Sequence, residues 1–564
     1  MKTTKNIARL AVIAGLTAVL SFGGVMAPVT MAFAADEANG SVTIENVEGN
    51  ATEFKGYQIF KADVATNGTV SNITWANIPV QLAVESFIQA EDESYDGTTA
   101  QDAADWITKK VEGTGKTTRV EFGSIPYKIA DKVDGLTASA TTTNKTVSGL
   151  EHGYWLFVTD ADTIGDGEAG TSPIFTVVGD TPVEVNEKTG IPTVEKKIVS
   201  DADHKEHDAA DSQIGQNVTY NLYGTVAENF DKYETYFYEF SDQISKGLTL
   251  QQGAKVYLYD TVSEAKADLT HMKGTEITTS FTQSGETVDS STNAKTTTWT
   301  CQNLKGVSRI TNQSCIVVSY TAQINEDAFV AGTKSNDNTV MLKYSNNPMN
   351  RDSKGQTPPD TVKDYTYGLR INKVDLGTET KLPNAQFTIT TNGDEKKEKE
   401  KYVDGRGKLS TTEVILTTNS DGVITLTGLD AGVYTVKEVS APDGYTAVDP
   451  FTFEIKPTMT DDGPAAGLTK VTGELKTSQT TKVIAGLNDT SAGKVGDNKL
   501  DFKEDTLTNT DGTFNITVGN TKQINLPLTG LNGVTFTWIA GGAVLCIGVA
   551  HLIRSRKRDD GSEE

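Results

Sequence analysis

Apolar and polar residues alternate over short runs along most of the chain. Such runs include Gln58-Ile59-Phe60, Trp155-Leu156-Phe157-Val158, Ile316-Val317-Val318, Phe387-Thr388-Ile389, Val423-Ile424-Thr425-Leu426 and Tyr434-Thr435-Val436. Thr, Val, Ile and Tyr suit a pleated, half-buried strand, and Gly, Asn and Asp turns separate the runs. Many short strands at this spacing predict an all-β chain built of tandem β-sandwiches. Residues 100–111 predict a helix instead, because Ala103, Ala104, Trp106, Ile107 and Val111 recur with helical spacing.

The two ends break the pattern. Lys2, Lys5 and Arg9 precede an apolar stretch at 10–26, and Ala32-Phe33-Ala34 follows. A basic start, an apolar middle and small residues at the end mark a secretory signal, here 1–34. Near the other end stands Leu526-Pro527-Leu528-Thr529-Gly530, then an uncharged stretch at 534–553, then Arg554, Arg556, Lys557 and Arg558. The stretch has the ~20 residues that a helical bilayer span takes, with a positive stop behind it.

Composition narrows the function classes. The chain has 564 residues, 37% of them hydrophobic and 22% charged, which suits roughly three to four packed domains of ~150 residues. Lys and Arg number 51 against 75 Asp and Glu, a net charge of −24. An acidic chain without a basic tract in its body is not a nucleic-acid binder. Three Cys and five His exclude a zinc-module or disulfide-stapled protein. The acidic stretch Asp160, Asp162, Asp166 and Glu168 fails the EF-hand spacing, and His204 and His207 lie in a charged turn, so no metal and no cofactor are expected. No phosphate-binding loop and no Ser–His or Cys–His arrangement for hydrolysis occurs.

Linker chemistry divides the body. Thr189-Gly190-Ile191-Pro192 separates a first domain (35–190) from a second (191–362). Asn346-Asn347-Pro348 and the segment 355–359 precede a third (363–525), and 526–564 is the tail. The charge run at 395–401 reads as a solvated hairpin tip or inserted loop.

The third domain holds the sharpest chemistry. Leu369, Ile371 and Lys373 share one strand face, as do Tyr434, Val436 and Glu438, and Ile516, Val518 and Asn520. A lysine, a carboxylate and an asparagine thus converge on one apolar core. A desolvated lysine loses its proton and becomes a nucleophile, while a buried carboxyl group hydrogen-bonds and polarises the carboxamide. Attack on the Asn carbon with loss of ammonia would leave an amide cross-link. The alternative is an unlinked buried polar cluster, whose members must then satisfy one another. In the second domain Lys196 alternates with Val194 and Ile198, with Lys197 as the outward rival. Asp242 is the candidate acid, and Asn338 the candidate acceptor, with Asn346 and Asn347 as rivals. Cys301 and Cys315 lie on runs that look like neighbouring strands, so a disulfide is expected after export; the alternative is two separate buried thiols.

These motifs carry a family resemblance. The LPLTG tail resembles the LPxTG sorting signal of Gram-positive sortases. The resemblance implies that a sortase cysteine attacks the Thr529 carbonyl, releases Gly530 onward and holds the chain as a thioester. The KVD strand, the G-x-Y-x-x-x-E segment running into A-P-x-G-Y and the terminal V-x-N resemble the collagen-adhesin B-type (Cna-B) immunoglobulin-like domain. That implies Lys373 as amine, Glu438 as catalytic acid and Asn520 as acceptor. The second domain resembles the A-type (Cna-A), which uses Asp. Val183-Glu184-Val185-Asn186-Glu187-Lys188 resembles the subunit-joining segment of pilins, with Glu187 where the family carries Pro.

The whole chain resembles a sortase-assembled backbone (major) pilin, wall-anchored on a Gram-positive fimbria. The resemblance implies Thr529–Lys188 amides between identical subunits. It implies as partners a pilus-specific and a housekeeping sortase, peptidoglycan and a minor or tip pilin; the host receptor is not encoded in these motifs. The other reading is a monomeric wall-anchored adhesin for a host matrix protein or glycan. In neither is the chain an enzyme beyond a single-turnover reaction on itself.

Overall fold

A computed structural model of the chain describes residues 39–523 apart from 47–49, 67, 113–119, 121, 143–144, 188, 331–333, 392–399, 461–462, 477–484 and 489–505. The signal, the sorting motif Leu526-Pro527-Leu528-Thr529-Gly530, the apolar stretch behind it and Lys188 lie outside the described residues. Among those described, no helix is long and apolar enough to cross a membrane. The described chain is mostly β-strand, arranged in three successive modules of paired sheets.

In the first module a sheet ordered Val70–Trp75, Phe54–Val64, Gly153–Thr159, Ile174–Val178 is covered on both faces. One face packs Trp155 and Phe157 against Val42, Ile44 and Val185 of a three-stranded sheet. The other packs Leu156 and Val158 against helices α1 (Ile78–Glu91), α2 (Ala100–Glu112) and α3 (Ile125–Val133). The expected helix is α2; α1 and α3 are additional. Both begin on a readable signal: Asn77 and Ser124 cap them by accepting from the Val80 and Tyr127 amides, and each has a proline in its first positions.

The middle module is a sandwich of two larger sheets. One contains Val194–Val199, Asn217–Thr225 and Cys315–Ile324 as successive neighbours. The other contains Asp360–Tyr365, Asn336–Ser345, Tyr238–Ile244 and Lys295–Cys301. The inner faces meet through Ile198, Tyr220, Leu222, Val318 and Tyr320 on one side and Phe240, Trp299, Val340 and Leu342 on the other. The stretch carrying Asn346-Asn347-Pro348 and 355–359, expected within the second domain's 191–362, pairs back on Asn336–Ser345 through Lys354–Gln356. It also meets the first module, where Gly170 N donates to Asn346 O (2.6 Å) and Tyr127 OH to Pro348 O (2.9 Å).

In the third module Val423–Leu429, Tyr367–Asp375 and Thr513–Lys522 form the centre of one sheet. Gln386–Thr391, Gly432–Ser440 and Phe451–Thr460 form the centre of the facing one. Only Thr366, fully buried, separates the last strand of the middle module from the first strand of the third.

The cysteines correct the disulfide expectation. Cys301 sits on a strand paired with Tyr238–Ile244, whereas Cys315 opens a strand of the opposite sheet. Cys301 faces the core, and Cys315 faces outward with Tyr223, Tyr259 and Val317 under the short helix α4 (Val262–Lys266). Both are buried free thiols. The two runs resemble neighbours in sequence but belong to different layers. When residues 35–525 are denatured without reductant, both thiols are therefore expected to take up an alkylating agent. Alkylation that requires prior reduction would contradict this arrangement.

Candidate functional site

Strand periodicity carries Lys373 into the third core. Leu369, Ile371 and Lys373 all face inward and are fully buried. The turn before the neighbouring strand needs Gly422, whose φ is +69° and where a Cβ would come within 2.7 Å of the Lys373 carbonyl oxygen. Thr513–Lys522 runs parallel to the lysine strand, with Lys373 opposite Val518 and Asp375 opposite Asn520. Asn520 thus lies on the diagonal from Lys373, within reach of a long side chain. Lys373 Nζ donates to Asn520 Oδ1. Glu438 arrives from the facing sheet, where it pairs with Phe387. Its Oε1 accepts from Asn520 Nδ2 (2.9 Å), and its Oε2 lies 3.3 Å from Lys373 Nζ and accepts from Val448 N (2.9 Å).

This cluster is nearly dry, with Glu438 at 5% exposure and Asn520 at 1%. The Phe387 ring lies 5.7 Å from Nζ. Burial pulls the Lys373 amine down to about 8, against the opposing attraction of Glu438. At that value roughly a tenth of the amines are neutral at pH 7, against about one in three thousand for an ordinary lysine. A partly neutral amine on a carboxamide whose nitrogen is held by a carboxyl group is an arrangement that can exchange ammonia for lysine.

The middle module brings together a second set. Lys196, from Val194–Val199, is fully buried and donates through Nζ to Asp242 Oδ1. Asp242 and Asn338 stand on adjacent antiparallel strands of the facing sheet, with Asp242 opposite Val340 and Ile244 opposite Asn338. Burial again pulls the lysine down to about 8, opposed by Asp242 and Asp360. The rivals lie elsewhere: Lys197 pairs with Asp208 (2.6 Å), Asn346 Oδ1 accepts from Ser353 Oγ (2.7 Å), and Asn347 Oδ1 from Met349 N (2.9 Å).

Sequence reasoning missed Tyr320. Its hydroxyl donates to Asp242 Oδ2, accepts from Asn338 Nδ2 (2.7 Å) and lies 3.1 Å from Lys196 Nζ. The signal was available, because Ile316, Val318 and Tyr320 continue one inward alternation. Asn338 Oδ1 is buried without a hydrogen-bond partner.

Next to Lys188 in sequence, Glu187 is buried, at 3% exposure. Its Oε1 accepts from Asn50 Nδ2 (2.7 Å) and Thr52 Oγ1 (3.1 Å), and its N–H donates to Glu45 O (2.8 Å). A proline here would forfeit that last bond. The acidic stretch is structural: Asp160 pairs with Lys55 (2.7 Å), and Glu168 accepts from the Ala51 (2.9 Å) and Gly165 (2.7 Å) amides.

Comparison with known proteins adds three findings. Residues 368–464 match the SpaA prealbumin-like fold domain. The trypsin-resistant surface T6 protein of Streptococcus pyogenes serotype M6 is 28% identical over 282 residues, 43% of this chain and 48% of that protein. The chain thus spans about half the length of this curated relative. Among solved structures, the T6 backbone pilin of S. pyogenes, described as a modular three-domain structure, superposes with a TM-score of 0.50 at 18% identity, covering 87% of this chain and 100% of that one. The major pilin SpaD of Corynebacterium diphtheriae gives a TM-score of 0.44 at 17% identity, covering 86% and 98%. In fold the chain is therefore similar to the T6 backbone pilin, and its third module carries the match to the SpaA prealbumin-like domain.

Proposed function

We propose that the chain is the structural subunit, the major pilin, of a covalently polymerised and wall-anchored surface fimbria. The observation that carries this reading is the pair of dry Lys–acid–Asn clusters, one in each of two successive sandwiches. Each buried charge costs several kcal/mol unless it is paired or neutralised. A subunit under tension gains a covalent tie between strands.

The reaction in the third module runs as follows. The neutral Lys373 amine attacks the Asn520 side-chain carbon, with Glu438 hydrogen-bonded to the carboxamide. One proton passes from the amine nitrogen to the departing Nδ2, a Lys–Asn amide forms, and ammonia leaves. Lys196, Asp242 and Asn338 perform the same exchange in the middle module. Between subunits, a sortase cysteine displaces Gly530 from Thr529, and the amine of Lys188 on a neighbour displaces the thiol to form an amide. A pilus-specific sortase serves the polymer, and a housekeeping sortase transfers the base to peptidoglycan; a minor pilin at the tip completes the set.

Intact mass tests the internal chemistry. The folded body is expected to weigh about 17 Da less than its sequence for each cross-link, the mass of one ammonia. Glu438→Ala is expected to restore one such increment and to lower thermal stability; an unmodified mass in the parent protein would contradict the cross-links.

Lys188→Ala tests the polymer. In the parent strain, boiling in SDS is expected to leave a ladder of high-mass species, and the variant is expected to lose it. A single wall-linked band in both strains would instead mark a monomeric adhesin.

A further inference from the structure

We propose that Tyr320 is a catalytic residue of the middle module, its hydroxyl relaying to the departing nitrogen of Asn338 the proton that Lys196 gives up. This inference rests on the reading of Lys196 and Asn338 as reaction partners.

The acids of the two clusters differ in length by one methylene group. In the third module the long Glu438 side chain reaches the carboxamide itself, accepting from Asn520 Nδ2 at 2.9 Å while standing 3.3 Å from the amine. In the middle module the acid is the shorter Asp242, and the Asn338 nitrogen donates instead to the Tyr320 hydroxyl, at 2.7 Å. That hydroxyl donates in turn to Asp242 Oδ2, while Asp242 Oδ1 accepts from Lys196 Nζ. A continuous hydrogen-bonded path therefore joins the attacking nitrogen to the leaving nitrogen, with Tyr320 as its last member.

The step balances without a co-reactant. Nζ bonds to the Asn338 carbon and passes one proton to Asp242. Tyr320 gives its proton to Nδ2 and takes the one that Asp242 collected. Ammonia departs, and carboxylate and hydroxyl end as they began. Burial holds the phenol well above its ordinary ionisation range, so giving and taking occur together and no phenolate accumulates. The ring is fixed for this task, stacked on Tyr220 (5.5 Å between centroids) and Trp299 (5.3 Å). A purely structural tyrosine would use the same stacking, and that difference is what the test must separate.

Tyr320→Phe removes the hydroxyl and keeps the ring. Residues 35–525 are synthesised cell-free, and the appearance of the Lys196–Asn338 and Lys373–Asn520 linkages is timed by mass spectrometry. The middle linkage is expected to form about 100-fold more slowly or worse, as for loss of a positioned proton-transfer group. The third-module linkage is expected at the parent rate, and Cys301 and Cys315 are expected to stay shielded from alkylation, reporting that the middle module is folded. A middle linkage at the parent rate would overturn the relay. A parent protein that never joins Lys196 to Asn338 would overturn the underlying reading instead. Should the Phe variant expose its thiols, 3-fluorotyrosine placed site-specifically at 320 decides: it keeps the shape while making the hydroxyl more acidic. A changed linkage rate then supports the relay, and an unchanged one overturns it.

Discussion

A lysine amine taken out of water governs both sandwich cores. Removing an ammonium group from solvent is so costly that the group gives up its proton, or shares it with a carboxylate, instead of staying charged alone. Lys196 and Lys373 are both fully buried, and both are drawn down to about 8. The opposing carboxylates keep the shift from going further. The same side chains would be unremarkable a single position along their strands, where Lys197 makes an ordinary ion pair with Asp208 at 2.6 Å. Strand parity thus decides between an ion-paired cation near the surface and a dry amine in the core.

That parity is also what made much of the site legible. Period-two alternation alone placed Lys373, Glu438 and Asn520 inward, and it separated Lys196 from Lys197. It could have placed Tyr320 as well, since the strand Cys315–Ile324 alternates throughout; attention to charged residues alone passed over a hydroxyl. Alternation says which face a residue takes but not which sheet its strand joins. Cys301 and Cys315 were misjudged for that reason: strand partners are long-range choices set by the whole topology. The run at 155–158, read as alternating, is continuously apolar, as suits a strand covered on both faces. Only the capping residues Asn77 and Ser124, with the prolines behind them, could have told that helices form the second cover.

The third-module cluster joins the first strand of that module to its last across 147 residues. Closing a loop of that length restricts the unfolded chain by about 5 kcal/mol, on a chain-entropy account drawn from disulfides. For a small domain that is a large fraction of the whole folding free energy. Tyr367–Asp375 and Thr513–Lys522 are direct neighbours in a parallel pair, so a Lys373–Asn520 amide would couple the strand where the chain arrives to the strand where it leaves.

The middle module distributes load differently. Lys196 lies on its first strand, Val194–Val199, but Asn338 lies on the strand beside the exit strand in the sheet and not on the exit strand itself. The exit strand, Asp360–Tyr365, is held to Asn338's strand by an antiparallel ladder in which Asn338 faces Val362. A Lys196–Asn338 amide would therefore carry tension across the sandwich and hand it to hydrogen bonds for the final step. That step is short and well buttressed. Ala209–Asp211 pairs with the exit strand on its other side, Ser212 N donates to Tyr365 O (2.9 Å), and the chain passes through buried Thr366 straight into Tyr367–Asp375, the Lys373 strand of the third module. With both amides formed, the antiparallel ladder between Asn336–Ser345 and Asp360–Tyr365 would be the hydrogen-bonded step in the path from one to the other.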